Sequence, residues 1–243
     1  MFARGRRTAV NGPETIPLVV LFGGGVESVT LVRRFLAEGQ TVLPLHQHWG
    51  LLWDDAERAW ARRFCRAHAC DLLLPLLEVR CSPDAVAGCW AVTGVQVPQA
   101  GDPAEGLEIP VRNLTLLTNA AAHLTHLGRL DLVMGTTGDN RFSDGTREFF
   151  DRCEQTLSRD FRKPVRVLTP LLGADKTQVI RQSDPDTLAL SFSCLSPRGE
   201  THCGACYKCG RRQAAFRQAG VIDPTVYAHP SSPPPLSNHG ATR

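Results

Sequence analysis

The 243-residue chain has little charge imbalance: its formal net charge is +3, from 27 Lys and Arg against 24 Asp and Glu. So small a basic excess gives no ground for nucleic-acid binding. No apolar run approaches the ~18 residues that a membrane-spanning helix needs. A secretory signal is lacking as well. The opening MFARGRRTAVNGPETIP carries Arg4, Arg6 and Arg7 with no apolar stretch behind them, and reads as a basic disordered leader. No internal repeat occurs. There is no Gly-Lys-Ser/Thr ending, which excludes a Walker A loop, and the G-x-G-x-x-G dinucleotide pattern is missing too. Cysteine is present, but its count of nine is odd and the chain is far larger than typical disulfide scaffolds. A reducing, cytoplasmic setting with a metal-bound subset of thiols is therefore expected over a disulfide framework.

That subset is legible. Cys194, Cys203, Cys206 and Cys209 follow the spacing C-x8-C-x2-C-x2-C. Two overlapping C-x2-C steps hold three thiolates around one point, and Cys194 closes a tetrahedron of sulfurs. Gly204 and Gly210 permit the tight turns this requires. Arg198, Lys208, Arg211 and Arg212 flank the cluster and are expected to offset its negative charge. Four thiolates leave no open position, so the expected ion is a structural zinc. Cys65, Cys70, Cys81, Cys89 and Cys153 are scattered.

The rest of the chain alternates. Ile16 to Phe22 is a short apolar run read as a buried strand. Ser28 then opens a helical pattern that Gly39 stops. Thr41 to Leu45 reads as a strand and Asp71 to Val79 contains another, with a helix capped by Asp54 and Asp55 between them. Residues 80 to 110 mix Pro, Gly and Cys and read as a long loop, of a kind that is often functional. A helix over Asn113 to Leu127, a strand at Leu130 to Met134, a helix from Thr146 to Ser158, a strand at Val165 to Leu168 and a short helix from Asp175 complete the pattern. The expectation is an α/β fold with a doubly wound, five-stranded parallel sheet of the HUP/Rossmann-like type and a small C-terminal zinc-binding lobe. Ligands bind such sheets at the carboxyl ends of the strands. The expected division is a leader (1–15), a nucleotide-binding domain (16–185), a helical zinc lobe (186–228) and a disordered Pro- and Ser-rich tail (229–243).

Phe22-Gly23-Gly24-Gly25-Val26-Glu27-Ser28 joins the first strand to the first helix. Glycines let backbone N–H groups approach a phosphate, and the helix N-terminus adds partial positive charge. The Ser28 hydroxyl is placed to donate a further hydrogen bond. A tight turn without a ligand is the alternative.

This loop resembles a variant of the Ser-Gly-Gly-x-Asp-Ser pyrophosphate loop of ATP-pyrophosphatase enzymes. Within them, the chain from about Leu18 to Val226 is most similar to the 7-cyano-7-deazaguanine synthase family. The cysteine spacing and Pro110-Val111-Arg112-Asn113 carry the likeness most specifically. Thr169-Pro170-Leu171 with Lys176, and His48-Trp49-Gly50 with Glu57, match further family segments. Gly23 stands where the family has serine, and Glu27 where it has aspartate. Phe142 to Phe149 corresponds to the family's Tyr-Pro-Asp-Cys-Arg-Pro-Glu-Phe. It keeps Asp144, Glu148 and Phe149, and has Gly145 and Thr146 at the cysteine and arginine positions.

The resemblance implies an ATP-dependent, AMP-forming ligase. It would convert a 7-carboxy-7-deazaguanine-type carboxylate to amide and nitrile with ammonia, ATP entering with magnesium. Lys176 and Arg112 are then the candidate catalytic cations, and Asp144 the group that holds the base. The loop from Phe22 to Ser28 would cradle pyrophosphate, with Glu27 and Asp139 as helpers to magnesium. Each has a plainer alternative: a solvated first-turn Lys176, an Arg112 paired with a carboxylate, or an Asp144 that caps the helix after it. Trp49 either stacks on adenine or only packs, and His46 and His48 read as structural. A homodimer is expected from the family likeness alone. Two other functions stay open: a relative that adenylates a deazapurine carboxylate and passes it to a protein or nucleic-acid amine, and a zinc-stabilised scaffold with a dead ATP site.

Overall fold

The computed structural model describes residues 16–229. The expected leader, and the expected tail beyond His229, lie outside them.

Five strands form one parallel sheet in the order β3-β2-β1-β4-β5: β1 (Leu18–Leu21), β2 (Val42–His48), β3 (Leu77–Arg80), β4 (Leu130–Val133) and β5 (Val165–Leu168). The helices are α1 (Val26–Ala37), α2 (Asp54–Ala67), α3 (Trp90–Thr93), α4 (Arg112–His123), α5 (Arg147–Phe161), α6 (Lys176–Gln182), α7 (Pro185–Ala189) and α8 (Tyr207–Ala219). This is the doubly wound α/β architecture that the alternation predicts. β1 lies at the centre, with Leu18 beside Val42 of β2 on one side and Asp131 of β4 on the other.

The period of two along each strand builds both faces. Val20, Phe22 and Val133 point into a core closed by α1, α2, α6, α7 and α8. Val19, Leu45 and Leu132 point into the opposite core, under α4 and α5. Nearly continuous apolar strands are what a sheet buried on both faces requires. Among the described residues, no helix is long and apolar enough to cross a membrane.

The strand expected within Asp71 to Val79 starts at Leu77 and runs to Arg80. Pro75 has no N–H to give a ladder. Ahead of it only a single bridge forms, with Val42 donating to Leu72 and Leu74 donating back to Val42. Asp54 does not cap α2. Its carboxylate turns back and accepts from Trp49 N at 2.5 Å and Leu51 N at 3.0 Å, which fixes the turn after β2. By contrast, Asp175 caps α6 as expected, in a reciprocal box with Gln178.

Residues 81–111 form a long connection with the short α3 and two 3-10 turns. It is pinned to the cysteine lobe: Ala100 N donates to Ala205 O, and Tyr207 N to Pro98 O, each at 2.9 Å. Trp49, Leu51, Trp53, Phe192 and the four clustered cysteines share a third apolar core there.

Candidate active site

The turn from β1 into α1 opens the site. Gly24 adopts φ +71°, a left-handed conformation that glycine tolerates. A cavity of about 810 Å³ begins at this turn, lined by Gly23, Gly25, Glu27 and Ser28. Phe22, Gly24 and Val26, grouped with them on sequence grounds, do not reach it. Phe22 and Val26 are core residues, and Gly24 lies against the backbone of α2 at Ala61. The Ser28 hydroxyl donates to Gly25 O at 3.1 Å, so it braces its own loop.

Lys176 reaches across from the first turn of α6 and donates to the Glu27 carboxylate. It is not a solvated first-turn lysine: the two side chains are 15% and 18% exposed. Burial pushes the Glu27 carboxyl up, but the Lys176 ammonium outweighs it and holds the group below the ordinary carboxylate range. Asp139 accepts from Thr137 Oγ1 and from Arg211, each at 2.5 Å. Glu27 and Asp139 thus each carry a protein cation, and the cavity brings both acids together with Lys176.

Arg112 opens α4 directly after Val111, which sits at φ 54°. A β-branched residue in that region is strained, and strain of this kind survives only where its surroundings enforce it. The strained turn delivers Arg112 into the cavity wall. Among the described residues no hydrogen bond or ion pair engages its guanidinium, so it is not the paired arginine of the plainer reading. Its charge acts on Glu57 instead.

Asp144 also lines the cavity, but it accepts from Asn113 N at 3.2 Å and so caps α4. The cap of the helix after it, α5, is Thr146, which accepts from Phe149 N at 3.2 Å. Beside it, a Cβ at Gly145 would stand 2.6 Å from Asn140 Nδ2. Asn140 occupies the space that a side chain at position 145 would take.

Several cavity residues escaped the sequence reading. Lys208 and Arg211, taken as counter-charges to the thiolates, line the cavity wall. The crowded cavity wall lowers the Lys208 ammonium below its ordinary value by partial desolvation, although the residue is exposed, and repulsion from Lys176 adds to that. Trp53 and Trp90, with ring centroids 5.7 Å apart, also line the cavity. Trp49 does not stack there; it is 6% exposed and packs in the lobe core. His46 Nδ1 lies 3.0 Å from Phe22 O, in the structural role expected of it.

Glu57 faces the loop from α2, and a Cβ at Gly23 would lie 3.6 Å from its Oε2. Burial first, and then the neighbouring Asp54, push its carboxyl up to about 8; Arg112 and Lys208 oppose that shift. A carboxyl with a raised native pKa binds its proton more tightly when folded. The unfolded protein ionises first, so stability falls as pH rises from about 4.5 toward 8. In urea denaturation, Glu57→Gln should match wild type near pH 5 and exceed it near pH 9 by on the order of 3 kcal/mol. Equal stabilities at the higher pH would refute the strained carboxylate.

The four clustered cysteines are buried, with their sulfurs within 4.8 Å of one another. Cys194 and Cys206 sulfurs are 4.0 Å apart, and those of Cys203 and Cys209 are 3.9 Å apart. Backbone N–H groups of Leu195, Cys203 and Cys206 point at sulfurs at 3.3, 3.2 and 3.3 Å. Such donors favour thiolate over thiol. A compact set of four soft donors fits a tetrahedral metal ion. Gly204 is required here, with φ +89° and a Cβ position 1.9 Å from His229 O. Cys206 is the N-cap of α8 and Cys209 lies in its first turn. The knuckle therefore sets the helix that carries Lys208 and Arg211.

The model of the family described as queuosine biosynthesis protein QueC matches residues 17–220. The 7-cyano-7-deazaguanine synthase of Pyrococcus furiosus is 28% identical over 231 residues, covering 86% of this chain and 96% of that protein. The synthase of Chromohalobacter salexigens is 29% identical over 230 residues, covering 91% of this chain and 90% of its own. Among solved structures, the U34-tRNA thiolase NcsA from Methanococcus maripaludis aligns with a TM-score of 0.44 and 13% identity, over 84% of this chain and 66% of that one. The glycine turn, the parallel sheet and the four-cysteine knuckle all fall inside the matched span, and the chain belongs to the QueC family as a divergent member.

Proposed function

We propose that the protein is an ATP-dependent, AMP-forming ligase that converts a 7-carboxy-7-deazaguanine-type carboxylate to the amide and then the nitrile with ammonia. The observation that carries this reading is one cavity in which the glycine turn meets Lys176, Lys208, Arg112 and Arg211. Four cations from three helices, facing a helix N-terminus, suit a triphosphate that must shed pyrophosphate.

A carboxylate is a poor electrophile because oxide is a poor leaving group. Its oxygen attacks the α-phosphorus of ATP, pyrophosphate departs, and an acyl adenylate forms. Ammonia then displaces AMP. A second adenylation, on the amide oxygen, allows that oxygen to leave and the nitrile to form. Lys176 and Lys208 bind the departing phosphates, and Arg112 steers the substrate carboxylate. Magnesium enters with ATP, and Glu27 and Asp139 supply the hard oxygen donors suited to it. Trp53 and Trp90 offer flat apolar walls to the purine-like ring, and Asp144 accepts from its N–H groups. Cys194, Cys203, Cys206 and Cys209 would hold a zinc ion, which would supply a crosslink between the cysteine segment and the start of α8.

The test is pyrophosphate release with ATP, magnesium and 7-carboxy-7-deazaguanine, with and without ammonia, and mass spectrometry of the product. Ammonia-dependent nitrile is the expected result. Adenylation without nitrile would move the reading to transfer onto a protein or nucleic-acid amine. Absence of ATP binding in calorimetry would overturn both and leave a scaffold.

A further inference from the structure

We infer that Glu57 is a catalytic residue: its carboxylate takes the proton from the nitrogen nucleophile as that nitrogen attacks the adenylated carboxyl group. The inference rests on the ligase reading above and extends it to the step after adenylation.

The cavity wall carries six acids: Glu27, Glu57, Glu105, Glu108, Asp139 and Asp144. Five have another task or setting. Glu27 is neutralised by Lys176, Asp139 is held by Arg211, and Glu105 and Glu108 lie exposed on the long connection. Asp144 accepts a backbone N–H at the start of α4. Glu57 alone is half-buried with no hydrogen bond or ion pair to its carboxylate among the described residues. It also stands beside the turn, 3.6 Å from where a Gly23 Cβ would be. A burial of this kind, unpaid for by any partner, is costly unless a ligand supplies the missing donors. An ammonium ion supplies them.

The chemistry asks for a base at this place. Ammonia is mostly ammonium at neutral pH and has no lone pair in that form. As the N–C bond forms and the C–O bond to AMP breaks, AMP departs with the bonding electrons. Ammonium must lose one proton before its nitrogen has a lone pair, and the attacking nitrogen loses a second as the amide forms; each passes to Glu57 and then to water. The groups facing Glu57 poise it: Asp54 from its own helix disfavours the charge, while Arg112 of α4 and Lys208 of α8 favour it. The result is a carboxylate far more basic than an exposed one, as a general base near neutral pH needs.

The test compares wild type with Glu57→Gln in two assays on the full-length protein. Carboxylate-dependent ATP–pyrophosphate exchange reads adenylation, and amide formation reads attack by nitrogen. The variant should lose about 100-fold or more in ammonia-dependent amide formation, and less than about threefold in exchange. Hydroxylamine, largely unprotonated at neutral pH, should restore hydroxamate formation to near the wild-type rate. Glu57→Asp should retain part of the amide rate, since it keeps the carboxylate. Equal losses in both assays, or no rescue by hydroxylamine, would reduce Glu57 to a positioning residue and overturn the inference. An unaltered ammonia rate would also overturn it. No exchange in the wild type would instead sink the ligase reading, and this inference with it.

Discussion

Cys206→Ser should purify without stoichiometric zinc and melt at least ~10 °C below wild type. The magnitude follows from the site. Structural zinc contributes on the order of 10 kcal/mol in small domains, and each kcal/mol moves the melting temperature of a chain this size by roughly 2–4 °C. Cys206 ties the cluster to the helix. Its sulfur accepts from Leu195 N, its own N–H donates to Cys203 Sγ, and it stands at the N-cap position of α8. Loss of this metal ligand unties the start of the helix from the cluster. Lys208 and Arg211 then lose their place in the cavity wall, so ATP affinity should fall more than local unfolding alone predicts. Metal analysis, calorimetric melting and ATP titration check the three parts. A wild-type protein that is fully folded and metal-free would refute the brace.

The second large effect concerns the Glu27–Lys176 pair. Lys176→Met should abolish most ATP-dependent turnover, with a loss of about 100- to 1,000-fold in kcat, because a cation on a departing phosphate is worth that much in an enclosed site. It should also destabilise the fold by about 3 kcal/mol, since Glu27 is left charged and largely desolvated. Adding Glu27→Gln should recover most of that stability without recovering turnover. Lys176 keeps the Glu27 carboxyl below its ordinary range, so the pair's contribution is present at neutral pH and lost as acid protonates Glu27. Urea denaturation of both single variants and the double variant closes the cycle. If the double variant were as unstable as Lys176→Met, the carboxylate would not be the source of the cost.

The scaffold was readable because its signals are local. An apolar run, a glycine turn and a helical period announce β1, the loop and α1. Asp175 and Gln178 announce the capping box of α6. The cysteine spacing announces a metal site by itself. What failed to show was convergence. Lys208 and Arg211 sit among the cysteines, and nothing in their spacing tells which face of α8 turns to the metal and which to the cavity. Glu57, Arg112 and Lys208 come from three helices and interact only after the sheet has set those helices side by side. Asp144 was read from its neighbours in sequence, whereas its partner Asn113 is distant along the chain. Trp49 was left between stacking and packing, and only the assembled apolar core of the lobe decides for packing.

The sheet order sets how the chain must be assembled. β1 is synthesised first among the described strands, yet its partner on one side, β4, follows about 110 residues later. Until then the central strand exposes an unpaired edge beside a buried apolar face. Parallel pairing across so long a separation is slow, and open edges invite association between chains. Nascent chains halted before β4 should therefore depend on chaperones to stay apart. The four clustered cysteines follow β5 in the chain, so among the described residues every strand is already made when the cluster can first be completed.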